Sequence, residues 1–356
     1  MIPFRPRSRS GRTCRLAFRA AFALLVALSF GGGALAAALR PVGPPPWRIT
    51  LILYRGCEDA CAGFQAYLRQ RGVPVEVSLR DAAQDKRKVA GFVQEIRRDR
   101  PDLVVTFGTT VTQEVLGPWN AVDRSRYLTD IPVVFMIVSD PVAAKILEAE
   151  DKPRPNVTGT LYLLPLETQF KAARSYLPFR RLGYLVNSTE SNSVTTRDRL
   201  RELAPRLGFE LIERKLPLLA AGAPDAAAIP ALLDQFRAEN VDLLYLSPDS
   251  FLVSRSDVLT DGALARQIPV FAASEVSLKS SRALFGVVNK YEDVGRFTAA
   301  QALRVLRDKA PPDSIAVELP RNFSYLINLP VALQLGRYPP LKLLDVAEIV
   351  GIEAGR

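Results

Sequence analysis

The chain has 356 residues, 48% of them hydrophobic and 24% charged, with a formal net charge of +10 and no histidine. Without histidine, Ser-His and Cys-His catalytic pairs and histidine metal sites are excluded. Arg5, Arg7, Arg9, Arg12, Arg15 and Arg19 all lie in the first 36 residues, which hold no acidic residue; the rest of the chain carries only +4 and no Lys/Arg stripe with interleaved aromatics, so a nucleic-acid partner is not expected.

Residues 1–36 have the three parts of a secretory signal: an Arg-rich start, the apolar segment LAFRAAFALLVALSF and the small-residue site Ala34-Leu35-Ala36. The mature chain is expected to begin near Ala37. An uncleaved anchor is the alternative, because residues 20–39 carry no charge and about 20 apolar residues span a bilayer. Cys14 precedes the apolar segment and so is not a lipoprotein cysteine. In either case the bulk of the protein works outside the cytoplasm, in the periplasm. Cys57 and Cys61, in RGCEDACAGF, then form a candidate disulfide in an oxidising compartment, with free thiols as the alternative because i,i+4 spacing in a regular helix is not ideal for bridging.

From Arg48 onward strands and helices alternate. RITLILYRG reads as a strand, GFQAYLRQRG as a helix, VPVEVSL as a strand, KVAGFVQEIRRDR as a helix and PDLVVTFG as a strand; a helix and the strand IPVVFMIVSD follow. The same grammar returns as RLGYLVNS, RDRLRELAPRLG, FELIERKL, AAIPALLDQFRAEN, VDLLYLSP, a helix and IPVFAASE. Gly72 and Gly208 are 136 apart, Asp102 and Asp242 are 140 apart, and Ile131 and Ile268 are 137 apart. Shared landmarks in one order point to a duplicated unit.

Short, wholly apolar strands alternating with helices imply two doubly wound parallel-sheet lobes, an α/β fold. The remaining ALFGVV, RFTAAQALRVLRDK, IAVELPRNFSYLIN and LPVALQLG are too few for a third domain and are expected to complete the two sheets. NVTGTLYLLP is the natural first crossing between lobes. The expected boundaries are 46–158 plus about 288–316 for lobe I, and 159–287 plus about 317–345 for lobe II.

Open parallel sheets bind ligands outside the carboxyl ends of their strands. The candidate ligand-binding residues are therefore Tyr54, Arg55 and Glu58 after the first strand, Phe107, Gly108, Thr109 and Thr110 after the third, Ser139, Asp140 and Pro141 after the fourth, and Asn187, Asn192, Ser193, Asp249, Ser250 and Glu275 in the second unit. Thr110-Val111-Thr112-Gln113 fits a capping box, which makes Thr110 a helix N-cap. The same helix start offers N–H groups to a carboxylate or phosphate, and Gly108 permits close approach. Asp140-Pro141 reads as another helix start, leaving Ser139 the better contact. Asn187, Asn192 and Ser193 suit turns and caps as well as a ligand; Asp249 and Glu275 are either solvated carboxylates or partners for a ligand amine. No G-x-S-x-G elbow, Walker A loop or G-x-G-x-x-G fingerprint occurs.

DLVVTFGTT, IPVVFMIVSDPVA, NVTGTLYLLPLETQF, RRLGYLVN, VDLLYLSPDS, QIPVFAASE and ALFGVVNKYEDVGRFTAAQALRVL, in that order, resemble the ABC-transporter substrate-binding family that includes tryptophan- and phenylalanine-binding members. The similarity spans roughly residues 48–345, and the VSDPV-to-NVTG pairing is its most specific part. The resemblance implies a type 1 periplasmic-binding-protein fold with two lobes, three crossings and a ligand cleft walled by the loops at 108–110, 139–141, 187–193 and 247–250. Arg282 stands where the family usually has glycine, so the loop from Ser274 to Arg282 is expected to differ.

The expectation is a monomeric solute-binding protein, not an enzyme, with no cofactor and no metal. Hinge closure on a small ligand, best an amino acid or similar carboxylate, would present the closed form to an ABC permease. Its carboxylate would sit at Thr109 and Thr110, its amine near Asp249 or Glu275, and its apolar part against Tyr54 or Phe107. The alternatives are the same fold serving a membrane sensor, or an exported carboxylate-based hydrolase.

Overall fold

A computed structural model describes residues 42–351; the signal segment, its cleavage site and Cys14 lie outside them. The first sheet contains β1 (Trp47–Leu53), β2 (Val75–Asp81), β3 (Leu103–Phe107), β4 (Val133–Val138) and β5 (Val157–Leu161), all parallel, in the order β2-β1-β3-β4-β5. Between them run α1 (Asp59–Gln70), α2 (Arg87–Asp99) and α3 (Thr109–Leu116). Every residue of β3 and β4 is buried, which is why these strands are unbroken apolar runs.

After α4 (Leu166–Tyr176) the second sheet takes β6 (Arg181–Val186), β7 (Glu210–Lys215), β8 (Leu243–Leu246), β9 (Val270–Ala272) and β10 (Phe285–Asn289), interleaved with α5 (Ser191–Leu207), α6 (Ile229–Ala238), α7 (Ser250–Ser254), α8 (Ser256–Ala265) and α9 (Glu275–Ser280). Then come α10 (Tyr291–Leu306), β11 (Phe323–Asn328), α11 (Leu329–Leu335), α12 (Leu341–Leu344) and β12 (Ala347–Val350). The order is β12-β11-β10-β9-β8-β6-β7, with β10 and β11 antiparallel.

The duplication has a structural counterpart. The order β2-β1-β3-β4 recurs as β7-β6-β8-β9. Asp102 accepts from the backbone N–H of Arg48 at 2.9 Å, and Asp242 accepts from that of Arg181 at 2.9 Å, so each carboxylate ties the start of its lobe's first strand. Arg48 in turn donates to the carbonyls of Asp99 and Arg100, and Arg181 to that of Glu239.

The late segments do not complete both sheets. β10, β11 and the unforeseen β12 all join the second sheet, while the first receives one bridge, Thr160 to Glu318. Its outer edge is already closed by β5, formed by the first half of the expected crossing segment. What returns to the first lobe is α10, which packs along α1. Gly63 and Gly295 make that approach possible, since a Cβ on either would collide with backbone of the opposite helix at Glu292 or Ala60.

Candidate functional site

The loops at the carboxyl ends of both sheets meet in a cleft. A small pocket of about 30 Å³ there is lined by Tyr54, Arg55, Phe107, Gly108, Thr109, Thr110 and Ser139 from the first lobe and by Asn192 and Ser250 from the second, all expected from the sequence. Ile137, Tyr162, Val253 and Tyr291 line it as well and were not expected; Glu190 and Pro248 also line it, from the expected loops at 187–193 and 247–250, though neither was singled out.

The first-lobe wall is built from strand ends. Gly108 takes φ +94° between β3 and α3, a conformation costly for a side-chain-bearing residue, and is itself the N-cap. Helix α3 therefore begins at Thr109, and Thr110 lies in its first turn, not at its cap. The Thr109 hydroxyl accepts from the backbone N–H of Ser139 at 3.1 Å, tying the two loops together. Ile137 sits at φ +56° where the register of β4 on β5 shifts, an unusual conformation for a β-branched residue. The irregularity turns the chain toward Ser139, whose hydroxyl lies 3.3 Å from that of Tyr162.

Arg55 is the pocket's cation. Its side chain is 13% exposed and is held by Glu58, 16% exposed, through two guanidinium-to-carboxylate contacts. Burial works to lower the Arg55 pKa, but the bond and charge of Glu58 outweigh it, and the group stays cationic. The Tyr162 and Tyr291 rings meet edge-on with centroids 5.8 Å apart. Burial raises both hydroxyl pKa values, so both rings are neutral. The Tyr54 hydroxyl donates to the Gln84 carbonyl at 3.0 Å; burial, then Glu190 and Asp249, push its pKa up to about 12.

On the opposite wall Glu190 is the anion. Its two oxygens accept from the backbone N–H groups of Ser250 at 3.0 Å and Phe251 at 3.1 Å, where α7 starts. Asp249 is fully buried and does not line the pocket; it caps α7 by accepting from Leu252 N–H at 2.8 Å. Burial, and next the neighbouring Glu190, raise its pKa well above the carboxylate range. Among the described residues neither Glu190 nor Asp249 has an ion-pair partner.

The other candidates bond to neighbouring loops and helix starts. Asn187 closes its own turn by accepting from Thr189, and Ser193 accepts from Asn187 N–H beneath the wall. Glu275 is buried; it accepts from the backbone N–H of Tyr291 at 2.5 Å and pairs with Lys279, so it clamps the crossing from β10 to α10. Asp140 accepts from Ala143 N–H at 2.9 Å, in a run of turns and not a regular helix. Cys57 and Cys61 are disulfide-bonded. Arg282 donates to Gln334 and lines neither cavity of the cleft.

A second cavity, about 290 Å³, adjoins the first and shares Thr109, Ser139 and Asn192 with it. Its walls are the crossing-segment residues Leu161, Leu163, Leu164, Val317 and Leu319, with Thr195, Thr196 and Arg199 from α5 and Asp140 and Pro141 opposite. The cleft thus has a small end with Arg55 and Glu190 and a roomier, hinge-side end lined by many apolar residues, which also carries Asp140, Glu150 and Arg199.

The chain and its fold are similar to those of known proteins. Residues 50–350 fit the family described as ABC transporter substrate binding protein. A tyrosine-binding protein of Clostridioides difficile is 25% identical over 268 residues, covering 74% of this chain and 72% of that one. A conserved domain protein from Vibrio cholerae, 22% identical, superposes with a TM-score of 0.72 over 85% of this chain and 99% of its own. An ABC domain from Streptococcus pneumoniae solved with L-Trp, also 22% identical, superposes at 0.71 over the same shares. The two-lobed α/β architecture is that of type 1 periplasmic binding proteins. The chain belongs to the family of ABC transporter substrate binding proteins.

Proposed function

We propose that the protein is an extracytoplasmic, non-enzymatic binding protein for an amino acid with a large apolar side chain, delivered to an ABC permease. The observation that carries this reading is that Arg55 from one lobe and Glu190 from the other line a single pocket, opposite charges set to receive a zwitterion. The ligand carboxylate takes Arg55 and the first-turn N–H groups of α3 at Thr109 and Thr110. Its amine takes Glu190, which lines the pocket, in place of Asp249 and Glu275, which do not. Its side chain extends past Thr109, Ser139 and Asn192 into the hinge-side cavity.

The tyrosine-binding relative and the structure solved with L-Trp favour an aromatic side chain. The hinge is formed by the segments at 161–165, 289–291 and 318–323, which join one lobe to the other. Differential affinity for the closed state drives closure. Calorimetric titration with L-tyrosine, L-tryptophan and L-phenylalanine tests the reading. Binding of at least one, weakened when its carboxylate is amidated or its amine removed, is expected; heat from none of them would sink it.

A further inference from the structure

The bridge between Cys57 and Cys61 stands two residues from the pocket cation. Residues 55–57 form a strap between β1 and α1, and among the described residues none of their backbone groups joins a backbone–backbone hydrogen bond. The chain is pinned just before them, where Gln84 N–H donates to the Tyr54 carbonyl, and again from Asp59, where α1 begins. In between, Gly56 turns at φ +91° and Cys57 is exposed. Among the described residues the strap is therefore held mainly by the Arg55–Glu58 ion pair and the disulfide, with the Gln65 amide donating to Cys57.

The far end of the disulfide is a firm anchor. Cys61 is fully buried on α1, in the core shared with α10, with its Cα 5.2 Å from that of Cys57. The Gln65 amide donates toward both sulfurs, at 3.6 Å to Cys57 and 3.4 Å to Cys61. Glu58 lies inside the loop that the bridge closes, and its carboxylate does not cap α1 because it is turned to Arg55. A bridge across so short a loop constrains the unfolded chain far less than a long-range one does, so its main effect is local.

We propose that the Cys57–Cys61 disulfide positions Arg55, holding the guanidinium in the pocket so that it meets a ligand carboxylate, and that reduction weakens this one contact while leaving the fold in place. The reaction is a two-electron reduction: a dithiol reductant gives two electrons and two protons, the S–S bond opens to two thiols, and the reductant closes to its own disulfide. The inference rests on the proposed role of Arg55 in carboxylate binding.

The test is a ratio. Affinities of L-tyrosine, L-tryptophan and L-phenylalanine and of their carboxamides are measured for the oxidised chain, the reduced chain, Cys57→Ser, Arg55→Met and the double variant. A charge-assisted contact predicts an acid-over-amide preference of roughly tenfold or more in the oxidised chain. Reduction and Cys57→Ser should each cut that preference about threefold to tenfold without changing amide affinity. Arg55→Met should cut the preference at least as far as reduction does, leaving only what the α3 N–H groups supply, and adding Cys57→Ser to it should change nothing further. An unchanged preference on reduction, or a further loss in the double variant, overturns the inference alone; no binding by the oxidised chain overturns the amino-acid reading and the inference together. Reduction of the unmodified chain supplies the comparison if Cys57→Ser folds poorly.

Discussion

Asp140, in the loop after β4, forms an ion pair with Arg199 on α5, directly across the cleft. A second link runs alongside it, from the Ser191 hydroxyl to the Gln113 side-chain carbonyl at 3.1 Å. Both join the lobes, and Asp140 and Arg199 also line the hinge-side cavity.

Arg199→Ala should therefore loosen the closed state. Arg199 is 52% exposed and Asp140 15%, so solvent screening limits the pair to about 0.5–1 kcal/mol, a two- to fivefold loss of affinity. The loss should appear mainly as faster ligand dissociation and should shrink as salt is raised. Unchanged dissociation kinetics at low salt would count against a latch.

Glu190→Gln should lower affinity for a zwitterionic amino acid by about 1.5–3 kcal/mol, the range for a hydrogen bond to a charged group. The corresponding 2-hydroxy acid, which has no ammonium, should lose far less. The discriminating measurement is the ratio between the two ligands, since Gln also weakens the bonds to Ser250 and Phe251 N–H and disturbs both ligands alike.

Asp249 makes stability depend on pH. Burial, then Glu190, raise its folded-state pKa, so the folded protein holds this proton more tightly than the unfolded chain does. Its contribution is full below the unfolded carboxyl pKa of about 4 and is lost as pH rises through the higher folded value. Melting temperature should therefore fall from mildly acidic toward neutral pH. Asp249→Asn keeps an oxygen for Leu252 N–H and should flatten that slope; an identical slope in the variant would sink the assignment.

Thr196→Phe places a ring in the hinge-side cavity. Aromatic amino acids should lose roughly tenfold or more in affinity if their side chains need that space, since overpacking costs about 1–3 kcal/mol. Calorimetry with L-tyrosine measures the loss, and full affinity would place the side chain elsewhere.

Much of the fold was legible because its cause is local. Unbroken apolar strands such as VVFMIV mark a sheet covered on both faces, and Asp102 and Asp242 repeat because each lobe needs the same tie on the first residues of its leading strand. The helix N-cap lies two residues before the one expected at Thr110, because Gly108 can cap without a side chain. The strand β12 lies beyond the helical LPVALQLG pattern, the last element that local periodicity marks.

The sequence by itself determined the two-lobed parallel architecture, the cleft-facing loops and the pairing of Cys57 with Cys61 as a candidate, since all three follow from short-range pattern and spacing. Only the tertiary structure decided which loop side chains reach the cleft. Asp249 and Glu190 are both loop carboxylates in sequence, yet one is spent under α7 and the other lines the pocket, because α7's first N–H groups take acceptors from two different loops. Tyr162 and Tyr291 meet in one pocket because the chain crosses between the lobes, and a crossing is a long-range event that no local period records.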